Sequence, residues 1–151
     1  MRKLIILIFA ALLIIGCTSN THVMKPEIEE KPKEDNSKIK WRTYTAKRIK
    51  LASMKKKPVF LLFTRYDCHN CTILRREALS DEYVIKVIND SFEPLIVRST
   101  NDKFFKIADE LGITSVPTIF IIRPSGRAIR IRGIIPKDKL LEILVLVRMG
   151  L

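Results

Sequence analysis

Leu4 to Ile15 is an unbroken apolar run behind the positive pair Arg2 and Lys3. No polar face interrupts it, and it falls short of the roughly 20 residues of a membrane-spanning helix. Those are the proportions of the apolar segment of an export signal. The pattern then changes. From Thr18 to about Lys40 the chain is polar, broken by Pro26 and Pro32, with Glu27, Glu29, Glu30 and Lys31 mixing charge. Such a stretch cannot bury enough apolar surface to fold and reads as a flexible tether. A coil of about 20 residues reaches roughly 25 Å.

From Trp41 the pattern alternates between helix-like and strand-like segments. Trp41, Tyr44, Ile49 and Ala52 make an apolar stripe among lysines and arginines, which predicts a helix over 41–57, ended by Pro58. Val59 to Phe63 is a continuous apolar run of strand length, as expected for a strand buried on both faces. A helix is predicted from Cys68 to Ala78. A second follows Ser80-Asp81-Glu82, whose residues suit a helix start. Phe92 to Val97 predicts another strand, with Pro94 placed at its start or at a sheet edge. Asn101-Asp102 opens a helix that Gly112 stops. Thr118–Ile122 and Ala128–Ile131 flank a Pro-Ser-Gly turn, and in the second of these apolar residues alternate with arginines, as in a half-exposed hairpin strand. Pro136 opens a last helix through Leu140, Leu141, Leu144 and Val145.

The first two strands are joined through helices and should be parallel, with a right-handed crossover. The last two form a hairpin. An α/β domain follows, with a central mixed sheet flanked by helices on both faces. Residues 41–151 suffice for one such domain.

Composition adds little to this. The formal net charge of +12 fits a solvated basic surface or an anionic membrane surface. The cations are scattered apart from Lys55-Lys56-Lys57, and no nucleic-acid motif is present, so no nucleic-acid partner is expected. Three cysteines do not make a disulfide framework.

The chemistry lies in Cys68-His69-Asn70-Cys71. Two cysteines at i and i+3, where a helix starts after a buried strand, are within disulfide reach. Unpaired N–H groups at a helix N-terminus favour a thiolate on the first. The thiolate is the attacking species in disulfide exchange, and a second cysteine can resolve the mixed disulfide. His69, if protonated, favours the Cys68 thiolate, whereas Asp67 opposes it.

A strand, Cys-x-x-Cys at a helix start, and Thr114-Ser115-Val116-Pro117-Thr118 before a hairpin together resemble the thioredoxin-like family, over about residues 41–151. The stretch from Lys57-Pro58 through the motif to Leu79-Ser80-Asp81 resembles its small periplasmic branch, which includes the C-terminal domain of DsbD. The resemblance implies a thiol–disulfide oxidoreductase that acts on protein substrates, expected as a reductase. It implies Cys68 as nucleophile, Cys71 as resolving thiol and a Cys68–Cys71 disulfide. It also implies a cis peptide bond before Pro117, with backbone of Val116 offered to the substrate. No bound cofactor is needed, but a membrane electron relay or thiol donor is, and a monomer is expected. The sequence departs from the family at four places. Asp67 stands where many members have Trp, and Leu62 where thioredoxins have a buried aspartate. Arg76 replaces a helix-kinking proline, and Arg75 an acidic residue of the periplasmic branch.

Ile14-Ile15-Gly16-Cys17 resembles a bacterial lipobox. It implies a signal peptide over residues 1–16, cleavage after Gly16, lipid on Cys17 and a tether over 17–40. The domain is then extracytoplasmic and lipid-anchored, facing the periplasm in a Gram-negative cell. An uncleaved signal anchor is the alternative. A zinc site at Cys68 and Cys71 lacks further ligands, since the histidines are His22 and His69 and the third cysteine is Cys17. A permanently closed Cys68–Cys71 loop is too short to stabilise much. A redox-inert, peptide-binding or chaperone-like module of the same fold stays open beside the enzyme.

Overall fold

In this computed structural model residues 39–99 and 102–151 are described. The expected signal peptide, Cys17 and most of the tether lie outside them. The described chain forms β1 (Arg42–Thr43), α1 (Ala46–Met54), β2 (Val59–Thr64), α2 (His69–Glu77), α3 (Glu82–Ser91), β3 (Glu93–Arg98), α4 (Asp102–Glu110), β4 (Thr118–Ile122), β5 (Ala128–Arg132) and α5 (Lys137–Arg148).

The five strands make one sheet in the order β1-β3-β2-β4-β5. β2 is parallel to β3 and antiparallel to β4, and β4 and β5 form the antiparallel hairpin. β2 therefore sits at the centre, and all six of its residues are buried. Its even and odd positions serve different layers, as the two-residue period of a strand dictates. Phe60 and Leu62 pack with Leu74 of α2, Val84 and Ile88 of α3, and Leu140 and Leu144 of α5. Val59, Leu61 and Phe63 pack with Ala52 of α1 and with Phe104 and Ala108 of α4. The expected mixed sheet with helices on both faces is the architecture found.

The predicted helix over 41–57 needs correction. Its first residues form β1, which pairs in parallel with β3 through Arg42–Leu95 and Thr43–Ile96. Trp41 packs its ring on Phe60, with centroids 5.9 Å apart. The helix begins only at Ala46, where the Thr45 side chain accepts the Arg48 N–H at 3.2 Å and caps it. Upstream, Ile39 is already buried in the core.

Pro94 is accommodated inside β3, a strand with partners on both sides. The N–H of Glu93 bonds to Pro58 on the β2 side, so the missing N–H of Pro94 faces the β1 side. There the partner strand begins opposite Leu95, and no ladder bond is lost. At the other edge, β5 alternates exposed Arg130 and Arg132 with Ile129 and Ile131 packed inward, and edge charges of this kind discourage further pairing. The Arg130 guanidinium lies 4.8 Å above the Phe120 ring and donates to the Leu111 and Gly112 carbonyls at the end of α4. Gly112 has φ +59, the conformation that ends α4.

Candidate active site

β2 ends at Thr64, and the chain turns through Arg65, Tyr66 and Asp67 to Cys68, the N-cap of α2. An N-cap residue faces N–H groups with no partner inside the helix. Here the Cys71 N–H donates to the Cys68 sulfur at 3.1 Å, and the Cys68 carbonyl accepts the Thr72 N–H at 3.1 Å. The two cysteines form a disulfide, with Cα atoms 5.2 Å apart. Cys68 is half-buried and Cys71 only 1% exposed, so a partner molecule can reach the first sulfur and not the second. This asymmetry follows from the helix: Cys71 shares the inward face of α2 with Leu74, while Cys68 stands at its tip.

The loop before β4 closes over this tip. The Val116–Pro117 peptide bond is cis, and the Val116 carbonyl oxygen lies 3.7 Å from the Cys68 sulfur. The loop is held by Thr118, whose hydroxyl donates to Ser115 at 2.7 Å, and by the Gly133 N–H, which donates to Pro117 at 2.8 Å. The geometry thus brings Cys68, Cys71, Val116 and Pro117 together at one end of the sheet.

The neighbours of the motif are less committed. His69 opens α2 and is exposed, as is Asp67. The Asp67 carboxylate is occupied by the Arg65 guanidinium at 3.0 Å, which offsets the charge that would oppose a Cys68 thiolate. Sequence reasoning missed Arg65, whose opposite charge two positions before Asp67 was the available signal. It also missed Thr64, which is 3% exposed and whose hydroxyl has no hydrogen-bond partner among the described residues. Thr64 stands one ladder step beyond the Phe63–Thr118 pair, next to Pro117 and on the Leu62 face of β2. Arg75, where the periplasmic branch has an acid, donates to the Thr72 hydroxyl at 3.2 Å. Among the described residues no cluster of His, Cys, Asp and Glu could hold a metal ion.

Comparison with known proteins agrees with this geometry. Residues 45–148 match the thioredoxin-like domain family. The thiol:disulfide interchange protein DsbD of Campylobacter jejuni is 30% identical over 87 residues, which span 57% of this chain and 15% of that protein. Among solved structures, a thioredoxin from Thermus thermophilus superposes with a TM-score of 0.61 at 21% identity, covering 72% of this chain and 86% of that one. The oxidised C-terminal domain of DsbD from Neisseria meningitidis gives a TM-score of 0.55 at 22% identity, covering 64% and 87%. With the matched domain running through nearly the whole described fold, the chain belongs to the thioredoxin-like domain family.

Proposed function

We propose that this domain is a thiol–disulfide oxidoreductase that reduces disulfides in extracytoplasmic proteins, held at a bacterial membrane by lipid on Cys17. One observation carries the redox reading: a reachable sulfur at a helix tip, with a backbone N–H already aimed at it and a buried second sulfur behind it. The kinship with DsbD supports the same chemistry. The anchor rests on the apolar run Leu4–Ile15 and the Gly16-Cys17 that follows it.

The cycle starts from the dithiol. The Cys68 thiolate attacks one sulfur of a substrate disulfide. The substrate S–S bond breaks, a mixed disulfide forms, and the departing substrate thiolate takes a proton. Cys71, deprotonated, attacks the Cys68 sulfur and breaks the mixed disulfide. The second substrate thiolate leaves and is protonated, and Cys68–Cys71 closes. Two electrons have passed to the substrate, and a dithiol donor must return them by the same exchange. The Val116 backbone beside Cys68 offers an extended substrate segment a hydrogen-bonding edge. A protonated His69 would favour the attacking thiolate.

The test is turnover of a disulfide-bonded protein with a dithiol as donor. Cys68→Ser should abolish it. Cys71→Ser should accumulate a mixed disulfide through Cys68. Substrate binding that is indifferent to Cys68→Ser, with no turnover by the unaltered chain, would replace this reading with a peptide-binding module.

A further inference from the structure

The other end of the sheet carries a cluster of cations. Opposite the cysteines, at the start of β2, Lys55, Lys56, Lys57 and Arg148 surround a shallow depression with Pro58, Asp90 and Ser91. The one acid there, Asp90, is already paired with Lys86 at 2.9 Å. Among the described residues none of the four cations has a carboxylate within ion-pair distance. Basic residues at helix C-termini are ordinary, because they complement the helix dipole. Three further observations go beyond that.

Lys56 has φ +52, the only non-glycine residue with positive φ among those described. It occupies the position after the α1 cap. Its N–H bonds to Ser53 and that of Lys57 to Ala52, a pairing that normally places glycine here. A lysine is held in a conformation glycine adopts without strain, and it completes a run of three cations. Large apolar side chains are exposed at the same helix ends: Met54, Met149 and Leu151 are 72%, 65% and 64% exposed. Cations flanked by exposed apolar side chains suit the headgroup region of a bilayer. Finally, the Lys40 N–H bonds to Asn89 at 2.9 Å, next in sequence to Asp90 and Ser91 of the depression, so the first described residues lie on this side of the fold.

We propose that Lys55, Lys56, Lys57 and Arg148 dock on the anionic headgroups of the bilayer that carries the Cys17 lipid. This rests on the anchored reading above. The cysteine pair lies at the far end of β2, a strand roughly 17 Å long, and stays turned toward solvent and substrate.

Trp41, the chain's single tryptophan, reports on this directly. The full chain, as produced in a bacterial host, is reconstituted in vesicles with a fluorescent acceptor on a fraction of headgroups. One set is equimolar phosphatidylglycerol and phosphatidylethanolamine, the other phosphatidylcholine alone. Flotation reads the anchor, and energy transfer from Trp41 reads docking. The chain should float with both. At about 0.05 M salt, transfer should be at least about twofold higher on anionic vesicles, and this excess should vanish near 0.5 M salt. The triple variant Lys55→Glu, Lys56→Glu, Lys57→Glu should show the neutral-vesicle value at every salt concentration while still floating and still exchanging disulfides at the unaltered rate. Lys56→Gly should raise thermal stability yet lower transfer, which a purely structural lysine would not do. Equal transfer on both vesicle types, with full flotation, would overturn docking and leave the anchor. Flotation with anionic vesicles only would overturn the anchor and support docking. Flotation with neither would overturn both.

Discussion

The backbone N–H of Cys71 points at the sulfur of Cys68 across 3.1 Å. The helix tip thus solvates the sulfur that must carry negative charge, while Cys71 itself stays buried. In the reduced protein Cys68 should therefore react with iodoacetamide well before Cys71, by tenfold or more on the order of typical helix-tip thiols. Mass spectrometry of a time course separates the two. Equal rates, or Cys71 first, would mean that the nucleophile has been misassigned.

Arg65 holds the Asp67 carboxylate at 3.0 Å. Both side chains are exposed, so the effect on Cys68 is modest and screened by salt. Arg65→Ala should slow alkylation of Cys68 about two- to fivefold at low salt. Arg65→Ala with Asp67→Asn should restore it. Stopped-flow alkylation at two ionic strengths checks both.

The domain was largely legible in the sequence where burial dictated a single period. Val59–Phe63, apolar throughout, read as an interior strand, and Thr118–Ile122 followed by Ala128–Ile131 read as a hairpin with its own turn. The motif was legible for the same reason, since two cysteines at helical spacing after such a strand have few alternatives. The stretch before it was not. Trp41 and Tyr44 sit at a spacing a helix also uses, but Trp41 is spent on Phe60, and only the cap at Thr45 marks the true start. Thr64 could not be read either, because a hydroxyl at the end of an apolar run does not reveal whether it will find a partner.

Thr64 supplies a stability prediction. A buried hydroxyl without a partner carries a desolvation cost. Thr64→Val has nearly the same shape and should stabilise the oxidised domain by about 1 kcal/mol, seen as a rise of a few degrees in Tm. A loss of stability would show that the hydroxyl has a partner in solution.

Asp81 caps α3 through the Tyr83 and Val84 N–H groups and pairs with Lys137 of α5 at 3.0 Å. The hydrogen bond from Lys137, then that from Val84, holds the Asp81 carboxyl below its ordinary 3.8. The hydrogen bond to Asp81 and its charge hold Lys137 above its ordinary 10.5. The Asp81 share of stability is therefore present above the unfolded carboxyl value and is lost as pH falls through the lowered folded one. The Lys137 share is present below its unfolded value and is lost as pH rises through the raised folded one. Asp81→Asn keeps the cap and removes the charge. Its Tm should fall below that of the unaltered chain at neutral pH, and the gap should close once the pH is below the lowered Asp81 value or above the raised Lys137 value. A gap that persisted at both extremes would mean that the cap, not the ion pair, had been lost.

The central claim is that Cys68–Cys71 is a working redox pair. Its equilibrium against glutathione tests this most directly, with the oxidised and reduced chains separated by alkylation and mass. The account predicts a single two-electron transition toward the thioredoxin end of the scale, near about −270 mV. A value near about −120 mV would reverse the direction and make the protein an oxidant. A pair that never exchanges with glutathione would contradict the enzyme reading itself.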